Sequence, residues 1–256
     1  MTAPLPSSRP SAAGETWLIL GASAALARPF ARIAAAEGAR LLLAGRDRAD
    51  LEAIAADLSV RYDAAVGVRA FDALDRDGHA ALAAEAGAQP KLNVLLAFAA
   101  MPPQAALDAD PDRAARMLDL NLSGAASILL HLAPHLEAQR GGRLAIVGSV
   151  AGERGRRQNY VYGAAKAGLH ALASGLRGRL RTAGVSTTLV KPGPFESRMT
   201  FARKTFGPPV SAEAVALACW RAARRRRAVV YVPWWWRPLT AIVRGLPEAV
   251  FQRLKV

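Results

Sequence analysis

Seven short apolar runs recur along the chain, and between most of them lies a stretch long enough for a helix with one apolar side. Residues 16–20, 40–44, 65–71, 92–97, 143–147, 186–191 and 229–232 read as strands. Residues 25–37, 49–59, 75–87, 111–138, 160–182 and 211–224 read as helices. Strands that are apolar throughout, rather than at every second position, are buried on both faces. Such strands alternating with helices build a parallel sheet covered on each side. The expected fold class is α/β: a doubly wound, mostly parallel sheet forming a single domain over residues 15–232. A composition of 256 residues, 52% of them hydrophobic, is enough to fill its core. Residues 1–14, rich in Pro, Ser and Ala, are expected to be a disordered lead. Residues 233–256 are expected to be an amphipathic extension.

The first strand, helix and strand fall within about thirty residues and turn at Gly21-Ala22-Ser23. A strand leading through a small-residue turn into a helix is the layout of a dinucleotide site in a Rossmann fold, with backbone N–H groups of the turn and helix start facing the pyrophosphate. Gly21, Ser23, Ala25 and Leu26 are the expected contacts. Ala25 and Ala27 stand where such loops usually carry a second and third glycine, and their methyls bear on cofactor affinity more than on reaction type. Pro29 is tolerated because it falls in the first turn of the helix.

Tyr162-Gly163-Ala164-Ala165-Lys166 places a phenol and an ammonium four residues apart, on one face of the expected helix 160–182. A cation at ~4 Å in a partly desolvated site interacts by ~4 kcal/mol, roughly three pKa units, which would draw a phenol from ~10 toward neutrality. A tyrosine so adjusted is suited to general acid/base chemistry. The spacing alone is common; its surroundings give it meaning.

Those surroundings are Gly21-Ala22-Ser23 after the first strand, Asp72 after the third, Asn121 in the long helix, Ser149 thirteen residues before Tyr162, and Pro192-Gly193 after the sixth strand. In this order and spacing the chain resembles the short-chain dehydrogenase/reductase superfamily over residues 15–232. The resemblance implies hydride transfer between a nicotinamide cofactor and a carbonyl or alcohol. Tyr162 would be the proton donor or acceptor, and Ser149 would orient the reacting oxygen. Lys166 would lower the tyrosine pKa and bind the ribose, and Asn121 would hold a water that relays protons. Asp72, Ala99, Pro192 and Gly193 would contact the cofactor, although the usual Asn-Asn-Ala-Gly after the fourth strand reads Ala97-Phe98-Ala99-Ala100 here. Gly45 occupies the place of the acidic residue that accepts from the NAD ribose, and Arg46 beyond it suits a 2′-phosphate, so NADP(H) is favoured over NAD(H). The resemblance also implies a homodimer or homotetramer.

The net charge of +14 is concentrated late in the chain: residues 198–256 hold twelve Lys and Arg against Glu213 and Glu248, which is +10. This charge adjoins an apolar tail rather than a stacking groove, so no nucleic-acid partner is expected. One cysteine, Cys219, excludes an internal disulfide, and the His131/His135 pair lacks a third ligand, so no metal is expected. No apolar run reaches the ~20 residues that span a bilayer. Leu239, Ile242, Val243, Leu246, Val250 and Leu254 share one helical face behind Trp234, Trp235 and Trp236, with Arg237, Arg244 and Arg253 mostly elsewhere. Two placements stay open for this tail: at an anionic membrane surface, or packed on protein.

Residues 151–169 and 231–254 also resemble a branch of that superfamily, the reductases similar to decaprenylphosphoryl-2-keto-ribose reductase. That resemblance implies a lipid-linked ketosugar substrate, a cytoplasmic enzyme peripheral on the inner membrane face, and Arg154, Arg156 and Arg157 facing a lipid phosphate. Two other readings stand beside it. One is a reductase of a soluble ketone, alcohol or acyl substrate; the other is a non-catalytic nucleotide-binding regulator or interaction protein.

Overall fold

The computed structural model describes residues 12–197, 199–200, 207 and 209–253. Among them, β1 (Thr16–Leu20), β2 (Arg40–Gly45), β3 (Val66–Ala70), β4 (Leu92–Leu96), β5 (Arg143–Val147), β6 (Ser186–Pro192) and β7 (Val229–Val232) form one sheet. Its order is β3-β2-β1-β4-β5-β6-β7, and every pairing is parallel. The inner strands β1 and β4 are buried at all five positions, which is why they read as apolar runs with only Thr16 and Asn93 polar.

Helices cover both faces. On one lie α1 (Ala27–Ala36), α2 (Arg48–Tyr62) and α8 (Ala212–Arg224), where Trp17, Phe30 and Trp220 meet with ring centroids 5.0 to 5.5 Å apart. Such aromatic pairs contribute ~0.5–1.5 kcal/mol each beyond the area they bury. On the other lie α3 (Asp77–Gly87), α6 (Gly124–Ala138) and α7 (Tyr160–Arg181), packed through Ile128, Leu132, Leu169 and Leu176. Helix starts follow local chemistry: the side chains of Asp47 and Ser211 accept the N–H of Asp50 and Ala214 at 3.0 and 3.1 Å.

The expected single helix 111–138 is divided. Two helices, α4 (Gln104–Asp108) and α5 (Pro111–Leu118), precede a π-helical turn at Asp119–Ser123 that leads into α6. The wider turn takes up one extra residue, and Asn121 is buried within it. Pro134 sits inside α6 without ending it. It lies with Leu130 on the exposed side, where solvent can reach the carbonyl that proline leaves without a donor.

Of the expected lead, residues 1–11 fall outside those described. Ala12 is buried, and its N–H donates to the carbonyl of Glu37. The tail forms α9 (Trp236–Gly245) and α10 (Glu248–Phe251), separated at Leu246-Pro247. It packs on its own domain through Trp236, Thr240 and Phe251, whereas Ile242 and Val250 of the expected apolar face are exposed and Leu239, Val243 and Leu246 half-buried. Leu254 falls outside the described residues. Among the described residues, no helix is long and apolar enough to cross a membrane.

Candidate active site

The chain runs outward from β1 to β2 and β3, then returns to place β4 on the other side of β1. Loops leaving neighbouring strands in opposite directions open a crevice at the carboxyl ends of the sheet, where ligands of such folds bind. Two adjoining cavities lie there, of about 720 and about 400 Å³, with Ala24 and Ala99 lining both.

The larger cavity is bordered by Gly21, Ser23, Arg46 and Asp72. Gly21 has φ +82°, and a Cβ on it would stand 2.8 Å from the backbone N of Phe98, so the turn closes this tightly only with glycine. The N–H groups of Ser23, Ala25 and Leu26, at the entrance to α1, donate to no described residue. These free donors at a helix start, between two joined cavities, fit the pyrophosphate of a dinucleotide. Arg46 is exposed on the cavity edge, and the Asp72 carboxylate accepts the N–H of Leu74 at 3.0 Å.

The smaller cavity holds Ser149, Tyr162 and Lys166, with Ala25, Leu26, Pro192 and Gly193 also in its wall. Ser149 follows β5, and its hydroxyl accepts the N–H of Ala151 at 3.1 Å. Tyr162 and Lys166 point from the first turns of α7, and the lysine, 2% exposed, donates to the Val147 carbonyl at 3.1 Å. Its ammonium stands 5.7 Å from the centroid of the Tyr162 ring. Burial pushes the phenol up to about 12, with a Ser149 hydrogen bond acting the other way, and pulls the lysine down to about 8. The expected lowering of the phenol by Lys166 is therefore absent from this geometry: the ammonium is spent on the Val147 carbonyl, and desolvation dominates.

Asn121 does not reach into either cavity. Its amide accepts the N–H of Ala100 at 3.0 Å and donates to the carbonyls of Ala100 and Met117 at 2.8 and 3.0 Å. The side chain clasps the loop after β4. Among the described residues no cluster of three potential metal ligands occurs.

The sequence of residues 15–206 matches the family described as short chain dehydrogenase. The chain belongs to the short-chain dehydrogenase family. An uncharacterized oxidoreductase of Mycobacterium tuberculosis is 37% identical over 239 residues, covering 93% of this chain and 96% of that one. An uncharacterized oxidoreductase of Streptomyces coelicolor is 37% identical over 244 residues, 93% and 95% of the two chains. Among solved structures, a short-chain dehydrogenase from Sphingobium yanoikuyae in complex with NADPH shares the fold with a TM-score of 0.78 at 22% identity, over 92% of this chain and 97% of that one. The activity class is an NAD(P)-dependent dehydrogenase or reductase.

Beyond the motif residues, this short-chain dehydrogenase builds its smaller cavity with groups that sequence reasoning missed. Trp236 of α9 lines it, lying against Gly193. Three adjacent tryptophans drew attention to the tail, but nothing local showed that one faces inward. Behind Ser149, His170 Nε2 accepts the serine N–H at 3.4 Å, and burial, then the charge of Lys191, lowers its pKa to about 4. The Glu153 carboxylate accepts from Lys191 at 2.6 Å and Tyr231 at 2.9 Å; burial raises its pKa, but these bonds outweigh it and leave the value lowered. Of the three loop arginines, Arg154 holds the tail, Arg157 is exposed, and Arg156 alone lines the cavity.

Proposed function

We propose that this dehydrogenase transfers a hydride between NADP(H) and a carbonyl or alcohol held in the smaller cavity. The observation that carries it is the gathering of Ser149, Tyr162 and Lys166 in one enclosed wall, directly beside free helix-start N–H donors. NADP(H) supplies the hydride when bound, along Gly21, Ser23, Ala25, Leu26, Ala99, Pro192 and Gly193, with Asp72 and Arg46 toward the far cavity. Tyr162 gives its proton to the carbonyl oxygen in reduction, or takes the hydroxyl proton in oxidation. Ser149 hydrogen-bonds that oxygen and fixes its position. Lys166, kept close to its titration range by burial, replenishes the proton. Asn121 positions the Ala100 loop, and its carbonyl holds the relay water.

The finer reading is a lipid-linked ketosugar reductase, cytoplasmic and peripheral on the inner membrane face. It is supported by the tail: Trp234 is 77% and Ile242 64% exposed, beside Arg237 and Arg244, while Trp236 of the same segment walls the cavity. An outward apolar and basic face suits an anionic bilayer surface. Leu130, exposed on α6, supports a subunit contact through α6 and α7 in a homodimer or homotetramer. Assay of NADPH oxidation with membrane extracts, followed by identification of the reduced lipid, tests the substrate. The same assay with Tyr162→Phe tests the chemistry: a loss of 10²- to 10⁴-fold with NADPH binding retained is expected, and undiminished turnover would remove Tyr162 from the mechanism.

A further inference from the structure

Among the polar side chains of the smaller cavity that the hydride-transfer chemistry does not use, Arg156 and Asn159 stand out. Arg156 lines it, half-buried, and makes no ion pair or hydrogen bond with any described residue. All twenty Asp and Glu of the chain are among the described residues, so no acidic side chain is left to neutralise it. No acidic residue borders the cavity, and burial alone acts on the guanidinium, lowering its pKa. An arginine four residues before the start of α7 could remain in water; one taken into a cavity without a counter-ion is arranged for a ligand that brings the charge.

The second side chain is Asn159, at the start of α7. Asparagine there ordinarily caps the helix, yet this one makes no cap bond, and its Oδ1 is buried without a partner in the wall of the same cavity. A buried acceptor left open costs free energy unless a donor arrives with the ligand. The neighbouring guanidiniums show the contrast. Arg154 donates to the carbonyls of Val243 and Leu246 at 2.6 and 2.7 Å and to Glu248 at 2.6 Å, whereas Arg157 is solvated.

We propose that Arg156 and Asn159 form a substrate-recognition pair, and that the carbonyl substrate is a hydroxylated compound carrying an oxyanion, phosphate or carboxylate. The oxyanion accepts from the Arg156 guanidinium, whose planar fork matches it, and a substrate hydroxyl donates to Asn159. This rests on the reading of the cavity as the carbonyl site. It selects among carbonyl compounds by charge, which the Ser149–Tyr162–Lys166 chemistry does not.

The test is calorimetric binding to the full chain saturated with NADP⁺, so that phosphate-binding groups at the cofactor site are already filled. The probes share a hydroxyketone and differ in charge: dihydroxyacetone, dihydroxyacetone phosphate and hydroxypyruvate. The wild type is expected to bind at least one anionic probe about 10- to 100-fold more tightly than dihydroxyacetone. Arg156→Ala should bring that ratio close to one with NADPH affinity unchanged, and Arg156→Lys should retain part of it. Asn159→Ala should weaken charged and neutral probes alike, leaving the ratio in place. A polyprenyl monophosphate in phosphatidylcholine vesicles forms a further arm: Arg156-dependent binding there, without preference for the soluble anions, assigns the oxyanion to a lipid headgroup, and the reverse assigns it to a free metabolite. A wild-type ratio near one in every arm, or a ratio that survives Arg156→Ala, overturns the proposal. Binding is read without turnover, so an enzyme that selects anions but reduces no carbonyl refutes the reductase reading separately.

Discussion

Trp236 lies so close to Gly193 that a Cβ on the glycine would come within 1.9 Å of the indole nitrogen and 2.4 Å of the adjoining ring carbon. The tail and the loop after β6 are thus fitted to each other at the cavity wall, and the contact requires a residue without a side chain on one side of it. Gly193→Ala is expected to displace Trp236 at roughly 1–3 kcal/mol, as overpacking usually costs, which lowers Tm by several degrees at ~2–4 °C per kcal/mol. Adding Trp236→Ala should recover part of that loss, because the clash is pairwise. Thermal melts of the two singles and the double measure it; additive losses would mean that the two residues do not meet.

Arg154 joins the substrate loop to the last two helices, with its guanidinium 4.0 Å from the centroid of Phe251 as well as bonded to Val243, Leu246 and Glu248. Arg154→Ala is expected to release the tail. Cleavage by trypsin at Arg244, exposed in α9 and followed by Gly245, should accelerate about tenfold while the sheet domain stays resistant. Arg157→Ala, at a solvated position, should leave digestion unchanged, and equal digestion of all three proteins would show that Arg154 is not the fastening.

Lys166 carries a pH signature. Its pKa falls from 10.5 to about 8 on folding. Below pH 8 it is charged in both states, and its burial penalty is present in full. Between pH 8 and 10.5 the unfolded chain binds the extra proton, so stability rises with pH as the penalty is relieved. The difference corresponds to about 3 kcal/mol at ~1.4 kcal/mol per pH unit. Tyr162 acts oppositely between 10 and about 12, where the folded protein keeps the proton and stability falls. Lys166→Met should therefore stabilise the cofactor-free protein most below pH 8, and its advantage should shrink toward pH 10. Melting curves at pH 7 and 10 decide this, and a pH-independent gap would contradict it.

Arg46 stands exposed at the edge of the larger cavity. If it pairs with a 2′-phosphate, Arg46→Ala should reduce the preference for NADPH over NADH by roughly 10- to 100-fold, the value of ~1.5–3 kcal/mol for a hydrogen bond to a charged group. Steady-state kcat/KM with each cofactor reads the ratio. A ratio unmoved by the substitution would leave Arg46 a solvated loop residue.

The strands and their order in the chain were legible in the sequence. A parallel strand buried on both faces is apolar at nearly every position, and Thr16–Leu20 and Leu92–Leu96, polar only at Thr16 and Asn93, announce this locally. Gly21, Ser149, Tyr162 and Lys166 were legible too, because a turn, a strand end and a four-residue helical step each fix where these residues fall. The break at Asn121 was not, since the π-helical turn is held by bonds to Ala100, twenty-one residues earlier.

The sequence by itself determined the α/β alternation, the family and the motif around Tyr162, all of which depend on residues close along the chain. Only the tertiary structure decided which way the tail faces, which of three similar arginines reaches the cavity, and which way burial moves the Tyr162 phenol. Those outcomes depend on partners far away in sequence, such as the 89 residues between Arg154 and Val243, and on desolvation. Spacing along the chain carries no record of either until the sheet and helices have closed around the site.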